Sequence, residues 1–283
     1  MILVTGAGGK TGKSIIAQLV QRGDLVRGFV RSQKSALEIT ELGAKQAVIG
    51  DMLALGDVIN AMDGIQSVYH ICPNVHPQER LIGKNIITAA LHHSAEHLVY
   101  HSVLHPQIES MPHHWEKMRV EEMIFASGLN FTILQPTAYM QNILGQKEAI
   151  LQDDLYRVPY NTDVQFSLVD LNNVAEIASI VLGNPHHFNA IYELCGSEII
   201  TPEVIAGALS KTANKKIKAE KVSLEMWESN AINAGLPEYQ RSTLIQMFKY
   251  YDAYNLVGSA FVTEKLLGHP PTSLAEFLSR DFN

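Results

Sequence analysis

Cysteine is scarce. Cys72 and Cys195 are the only two in 283 residues, far apart and without a CxxC, which excludes a disulfide framework and leaves two reduced thiols as the expectation. Cationic excess is missing too: Lys plus Arg number 22 against 29 Asp plus Glu, a formal net charge of −7. No basic run is long enough to track a phosphate backbone, so direct nucleic-acid binding is not expected. No apolar run approaches the roughly 18 residues of a membrane span. The chain opens directly into Met1-Ile2-Leu3-Val4-Thr5, without a charged n-region, an apolar h-region or a cleavage site, so we expect a cytoplasmic protein with no membrane association. An HExxH motif is also missing. Adjacent histidines such as His92-His93 and His113-His114 would point about 100° apart on a helix, so no metal site is expected.

What is present reads as a packed globule, 46% hydrophobic and 18% charged, long enough for one body with two lobes. Short apolar runs alternate with helix-length segments, the pattern of repeated βα units. Strands are expected at about 1–5, 25–30, 46–49, 67–71, 97–102 and 131–135. The expected fold is α/β, a doubly wound parallel Rossmann sheet with a smaller, mostly helical C-terminal lobe. Residues 1–136 would form the nucleotide-binding domain and 137–283 the smaller substrate or partner lobe, with a strand and helix from about 166–195 packing back on the first. Beyond Pro136 we expect a hairpin around Leu155 to Ser167, a helix from about Leu171 to Leu182 and a strand over Ile191 to Cys195. A further helix would be capped by Thr201, with Pro202 in its first turn.

The strand ILVT runs into Gly6-Ala7-Gly8-Gly9-Lys10-Thr11-Gly12, and an apolar helix follows. Gly6, Gly9 and Gly12 fall at GxxGxxG spacing, where a side chain would obstruct a tight turn, the approach of a pyrophosphate, and close helix-to-strand packing. The free N–H groups at the helix start would bind the phosphates. A rival exists, because AGGKTGKS over Ala7 to Ser14 fits a relaxed Walker A pattern in which Lys13 would meet a γ-phosphate. That reading lacks its leading glycine, and no buried strand ends in a Mg²⁺-holding Asp apart from the approximate case of Asp51.

Which nucleotide is read at the end of the second strand. An NAD site places Asp or Glu there, whereas this chain has Arg31, with Ser32 and Lys34 close by. A guanidinium suits a 2′-phosphate, so NADP(H) is the expected cofactor. Ligands of open α/β sheets bind at the carboxyl ends of the strands. The cofactor should therefore cross Gly6, Gly9, Lys10, Thr11 and Gly12, then Arg31 and Ser32, Asp51 and Met52, Cys72 and Pro73, Ser102, Lys117, and Pro136 with Thr137. Asp51 either meets the adenine edge or caps the next helix. Cys72 has either a redox role or a place in the core.

The segment His113-His114-Trp115-Glu116-Lys117, with Glu121, Ser127-Gly128-Leu129, Phe131-Thr132-Ile133-Leu134-Gln135-Pro136 and Tyr139-Met140-Gln141-Asn142, resembles the NmrA-like group of atypical short-chain dehydrogenases/reductases. The likeness extends through Phe166 to Pro185 and Tyr192 to Gly196. It implies either an NADPH-dependent reductase of a small conjugated or aromatic acceptor such as a quinone, or a non-catalytic sensor of NADP(H) state that regulates a protein partner; a homodimer is also open. The chain departs from the group at Gln135, where Arg usually precedes the proline, and at Asn173, where Asp is common.

No Tyr has Lys four residues on, so the paired Tyr and Lys of ordinary short-chain dehydrogenases are absent. Ser102 sits where those enzymes keep a polarising serine, and Lys117 matches a functional Lys of related reductases. Half-buried beside the nicotinamide, Lys117 would have a lowered pKa and act as proton donor, or it would orient the ring. The alternative is a Lys117–Glu121 surface pair at i, i+4. Tyr139, Met140, Trp227 and Phe248 are candidate linings of an apolar substrate pocket.

Overall fold

The computed structural model describes residues 1–282. Its first elements alternate without exception: β1 (Ile2–Val4), α1 (Lys10–Arg22), β2 (Val26–Val30), α2 (Gln33–Glu41), β3 (Gln46–Ile49), α3 (Leu55–Met62), β4 (Ser67–His70), α4 (Glu79–His92), β5 (His97–His101), α5 (Pro112–Phe125) and β6 (Phe131–Pro136). Then follow α6 (Lys147–Asp153), β7 (Leu155–Val158), α7 (Leu171–Val181), β8 (Ala190–Leu194), α8 (Pro202–Ala213), β9 (Lys218–Lys221), α9 (Leu224–Asn233), α10 (Glu238–Tyr254), α11 (Phe261–Leu267) and α12 (Leu274–Asp281).

Seven strands form one sheet in the order β3-β2-β1-β4-β5-β6-β8, and β1 to β6 pair in parallel. The chain reverses direction across the sheet between β1 and β4, which is the switch point where ligands of such sheets bind. All six expected strands of the first half are present, as is the Rossmann-type doubly wound order. Thr201 caps α8 through the Val204 N–H, with Pro202 in its first turn.

The hairpin expected around Leu155 to Ser167 is not formed. Leu155–Val158 instead pairs in parallel with Lys218–Lys221, and Phe166 makes isolated bridges to Ile200 and Leu256. Turn-forming residues near Asn161 and Asp163 suggest a local return, whereas the partner strand arrives from far along the chain.

The chain divides into two compact units: Met1–Gln107, His113–Gln135 and Val174–Tyr192 in one, and Ile108–Pro112, Pro136–Asn173 and the chain from Glu193 on in the other. In the first, strand alternation sends Leu3, Val68, Leu98, Tyr100 and Ile133 to one face, where they pack with Val58, Met62, Ile82, Ile86, Val120 and Ile124 from α3, α4 and α5. Each such aliphatic is worth roughly 1.5–3 kcal/mol when fully buried. In the second, Tyr160, Phe166, Phe248 and Tyr251 stack with ring centroids 5.1–5.9 Å apart. Met140 is 1% exposed, and Phe248 packs edge-on to Trp227. Met140 and Phe248 are therefore packed within this unit.

Candidate functional site

The glycine loop is built as its spacing predicts. Gly6 has φ +59°, and a Cβ there would lie 2.7 Å from the Ile71 carbonyl oxygen. A Cβ on Gly12 would lie 2.5 Å from the Gly6 carbonyl oxygen and 2.6 Å from the Ala7 Cα, so only glycine lets α1 enter this close to the loop. Gly9 is the N-cap of α1 with no side-chain cap, and the first turn carries no acidic residue. Its orphan N–H groups are therefore left for an anion. Lys10 and Thr11 begin that helix, and Thr5, just before the loop, hydrogen-bonds the backbone of Ile71 beyond β4.

The Walker A rival lacks its Mg²⁺-holding Asp, because the buried strands β1, β4, β5 and β6 end in Val4, His70, His101 and Pro136, and Lys13 pairs at the surface with Glu38 at 2.8 Å. At the end of β2, Arg31 is exposed and has no hydrogen-bond or ion-pair partner among the described residues, so its guanidinium is free to take a phosphate. Ser32 is committed elsewhere, capping α2 through the Ser35 N–H and donating to the Ser35 hydroxyl. Lys34 leans toward Glu38. Asp51 accepts from the Leu53 N–H while Ala54 is the N-cap of α3, so Asp51 shapes the turn and does not cap the helix. Met52 is buried, and its carbonyl is held by Asn85. The cradle, the uncapped helix start and the unpaired guanidinium fit NADP(H).

A row of polar side chains crosses the carboxyl ends of the neighbouring strands, each following an apolar residue on the α3–α5 face. Thr5 follows Leu3, His70 follows Val68, Tyr100 and Ser102 follow Leu98, and Gln135 follows Ile133. Helices α4 and α5 answer it with Glu79, Lys117 and Glu121. Lys117 Nζ donates to Glu79 Oε1 at 2.8 Å, and the Tyr100 hydroxyl donates to the same oxygen at 3.0 Å. Next to them Arg80 and Glu116 form a two-bond pair at 2.5 Å that fixes α4 against α5.

This overturns two expectations for Lys117. Its partner is Glu79 and not Glu121, which instead accepts from the Ser102 hydroxyl and from Gln135 Nε2 at 2.9 and 3.0 Å. Nor is its pKa lowered: burial works against the ammonium, but the Glu79 carboxylate outweighs it and holds Lys117 above the ordinary lysine value. Ser102 donates its proton to Glu121. Burial pushes the Glu121 carboxyl above its usual range, against the pull of its hydrogen bonds.

Cys72 is 5% exposed within the apolar cluster, and burial raises its thiol well above the usual value. The redox alternative for Cys72 therefore lapses, because the thiolate is the reactive form. His70 Nδ1 lies 2.8 Å from the Thr5 hydroxyl, its ring stacks on Tyr100, and its Nε2 is buried without a partner. Burial depresses His70 and His101 to about 3, so both rings are neutral. Pro136 ends β6, and Thr137 donates its N–H to Leu194 while its hydroxyl is buried without a partner. Sequence reading missed Thr5, His70, Glu79 and Tyr100. For Thr5 and His70 the available signal was the polar residue that ends an apolar strand run; Glu79, at the start of α4, had none.

A family model described as the NmrA-like family matches residues 1–278. The chain is 26% identical to an NAD(P)H azoreductase of Xenophilus azovorans over 98% of this chain and 96% of that one. It is also 26% identical to quinone oxidoreductase 2 of Escherichia coli strain K12, over 100% and 99%. Among solved structures, an NADPH-dependent quinone oxidoreductase from Escherichia coli complexed with NADPH superposes with a TM-score of 0.84 at 24% identity, covering 100% of each chain. With the glycine cradle, the doubly wound sheet and the near full-length match in agreement, the chain belongs to the NmrA-like family.

Proposed function

We propose that the protein is a cytoplasmic NADPH-dependent reductase of a small conjugated or aromatic acceptor such as a quinone. The observation that carries this reading is Lys117, whose ammonium is held in its charged form by buried Glu79 and lies 3.5 Å from the His101 carbonyl at the carboxyl end of β5. NADPH, when bound, supplies a hydride. Gly6, Gly9, Lys10, Thr11 and Gly12 would hold its pyrophosphate through backbone N–H groups, and Arg31 its 2′-phosphate. Met52, Cys72 and Pro73 would border its path as packing surface. Lys117 would orient the nicotinamide ribose and stabilise the oxyanion that develops on the acceptor. The azoreductase and quinone oxidoreductase among the relatives support the substrate class. Two buried, unpaired thiols suit a reducing compartment, and among the described residues no helix is long and apolar enough to cross a membrane.

Following NADPH absorbance with a panel of quinones tests the reading. Turnover is expected, reduced about 100-fold or more by Lys117→Ala. Silence across the panel alongside tight NADPH binding would overturn it in favour of a cofactor-state sensor acting on a protein partner.

A further inference from the structure

Hydride addition to a carbonyl acceptor leaves an oxyanion that needs one proton. Lys117 is poorly suited to give it, since Glu79 stabilises its charged form. The neighbouring pair is differently built. Glu121 is 2% exposed and Ser102 3%, and the donors on the Glu121 carboxyl, Ser102 and Gln135, are both neutral. We propose that Glu121 stores the proton for the reduction and that Ser102 hands it to the acceptor. This rests on the reductase reading above.

The geometry permits the hand-over in both protonation states. Gln135 Nε2 reaches both carboxyl oxygens, so whichever oxygen is unprotonated keeps a donor. When Glu121 is protonated, its O–H donates to the Ser102 oxygen, which frees the Ser102 proton for another acceptor. The acceptor gains two electrons and one proton as hydride from NADPH, and one further proton from Ser102. Glu121 returns a proton to Ser102 and takes up one from solvent, so that two electrons and two protons in all reach the acceptor. The groups facing Glu121 are Lys117, one turn earlier on α5, and Tyr100 on β5. Glu79 on α4 is already paired with Lys117, so the cation nearest Glu121 is shared with another carboxylate. The upward displacement of the Glu121 carboxyl by burial agrees with a proton store.

The test has one arm without cofactor. In protein labelled with ¹³C at glutamate carboxyls and carrying no nucleotide, the resonance lost in Glu121→Gln should titrate above the ordinary value of about 4.3. Gln135→Arg, which sets a guanidinium against the carboxyl, should bring it below that value. In turnover with NADPH and a quinone, kcat should fall as pH rises through the same point. Glu121→Gln should abolish that limb and lower kcat by about 100-fold with NADPH affinity unchanged. Ser102→Ala should lower kcat alike while Glu121 still titrates high. An ordinary glutamate titration, or a Glu121→Gln protein with wild-type kcat and pH limb, overturns the inference. A wild-type protein inert toward every quinone overturns the functional reading and the relay with it, whereas turnover alongside an ordinary Glu121 titration overturns the relay alone.

Discussion

A carboxylate exposed to only 1%, as Glu79 is, costs several kcal/mol to bury unless its oxygens are paired. Lys117 and Tyr100 share one of them, and the ammonium also lies 5.5 Å from the centroid of the Tyr100 ring. Removing the charge should therefore act on Lys117 and not only on stability. In Glu79→Gln, burial would work on the ammonium without its counter-ion, and the Lys117 titration, followed by NMR of ¹³C-methylated lysines, should move below the ordinary value of about 10.4. Breaking a buried pair should also cost about 3–5 kcal/mol in urea unfolding. An unchanged Lys117 titration would show that Glu79 does not set its charge. These partners were not legible in the sequence for a physical reason. Helical spacing offers Glu121 to Lys117, but the contact is made with a residue 38 positions away, on a helix whose register against α5 only folding decides.

At the scale of elements, the glycine loop was legible because each glycine answers a local steric demand. Gly12→Ala would drive a methyl into backbone at Gly6 and Ala7, and should destabilise the fold by about 1–3 kcal/mol and abolish nucleotide binding. Gly56 lies in α3 with open space around it, so Gly56→Ala should stabilise by about 0.5–1 kcal/mol. Thermal unfolding of both variants checks the pair; equal effects would contradict the packing role of Gly12. Strands β1, β4, β5 and β6 were legible because strands covered on both faces read as apolar runs, and β2 and the partly exposed edge strand β3 because they fall in step with the alternation of strand and helix. The β7–β9 pair was not, because Lys218-Ala219-Glu220-Lys221 is polar and its partner is remote.

For the whole molecule, acid stability follows from groups that must stay in one charge state. His70 and His101 are held to about 3, and His97 and His114 to about 4, chiefly by burial. Below the unfolded value of about 6.5 the unfolded chain takes up protons that the folded chain refuses. Stability should therefore fall as pH drops from about 6.5 toward 4, by up to about 1.4 kcal/mol per pH unit for each histidine. Asp170 adds a later loss. Burial opposes its charge, but Arg280, the Asn172 N–H and Gln141 outweigh this and hold its pKa down. Its contribution is present above about 3.9 and lost as pH falls through the folded value. Urea midpoints at pH 7, 6 and 5 should decline in step, and a constant midpoint would contradict the buried neutral imidazoles.

The most direct measurement is calorimetric titration of the protein with NADPH and with NADH, repeated on Arg31→Asp. Charge-assisted bonds of about 1.5–3 kcal/mol from Arg31 should make NADPH bind roughly ten- to a hundredfold more tightly, and the substitution should erase that preference. A flat NADPH trace, or an affinity ratio untouched by Arg31→Asp, would contradict a dinucleotide cradle that ends in a guanidinium.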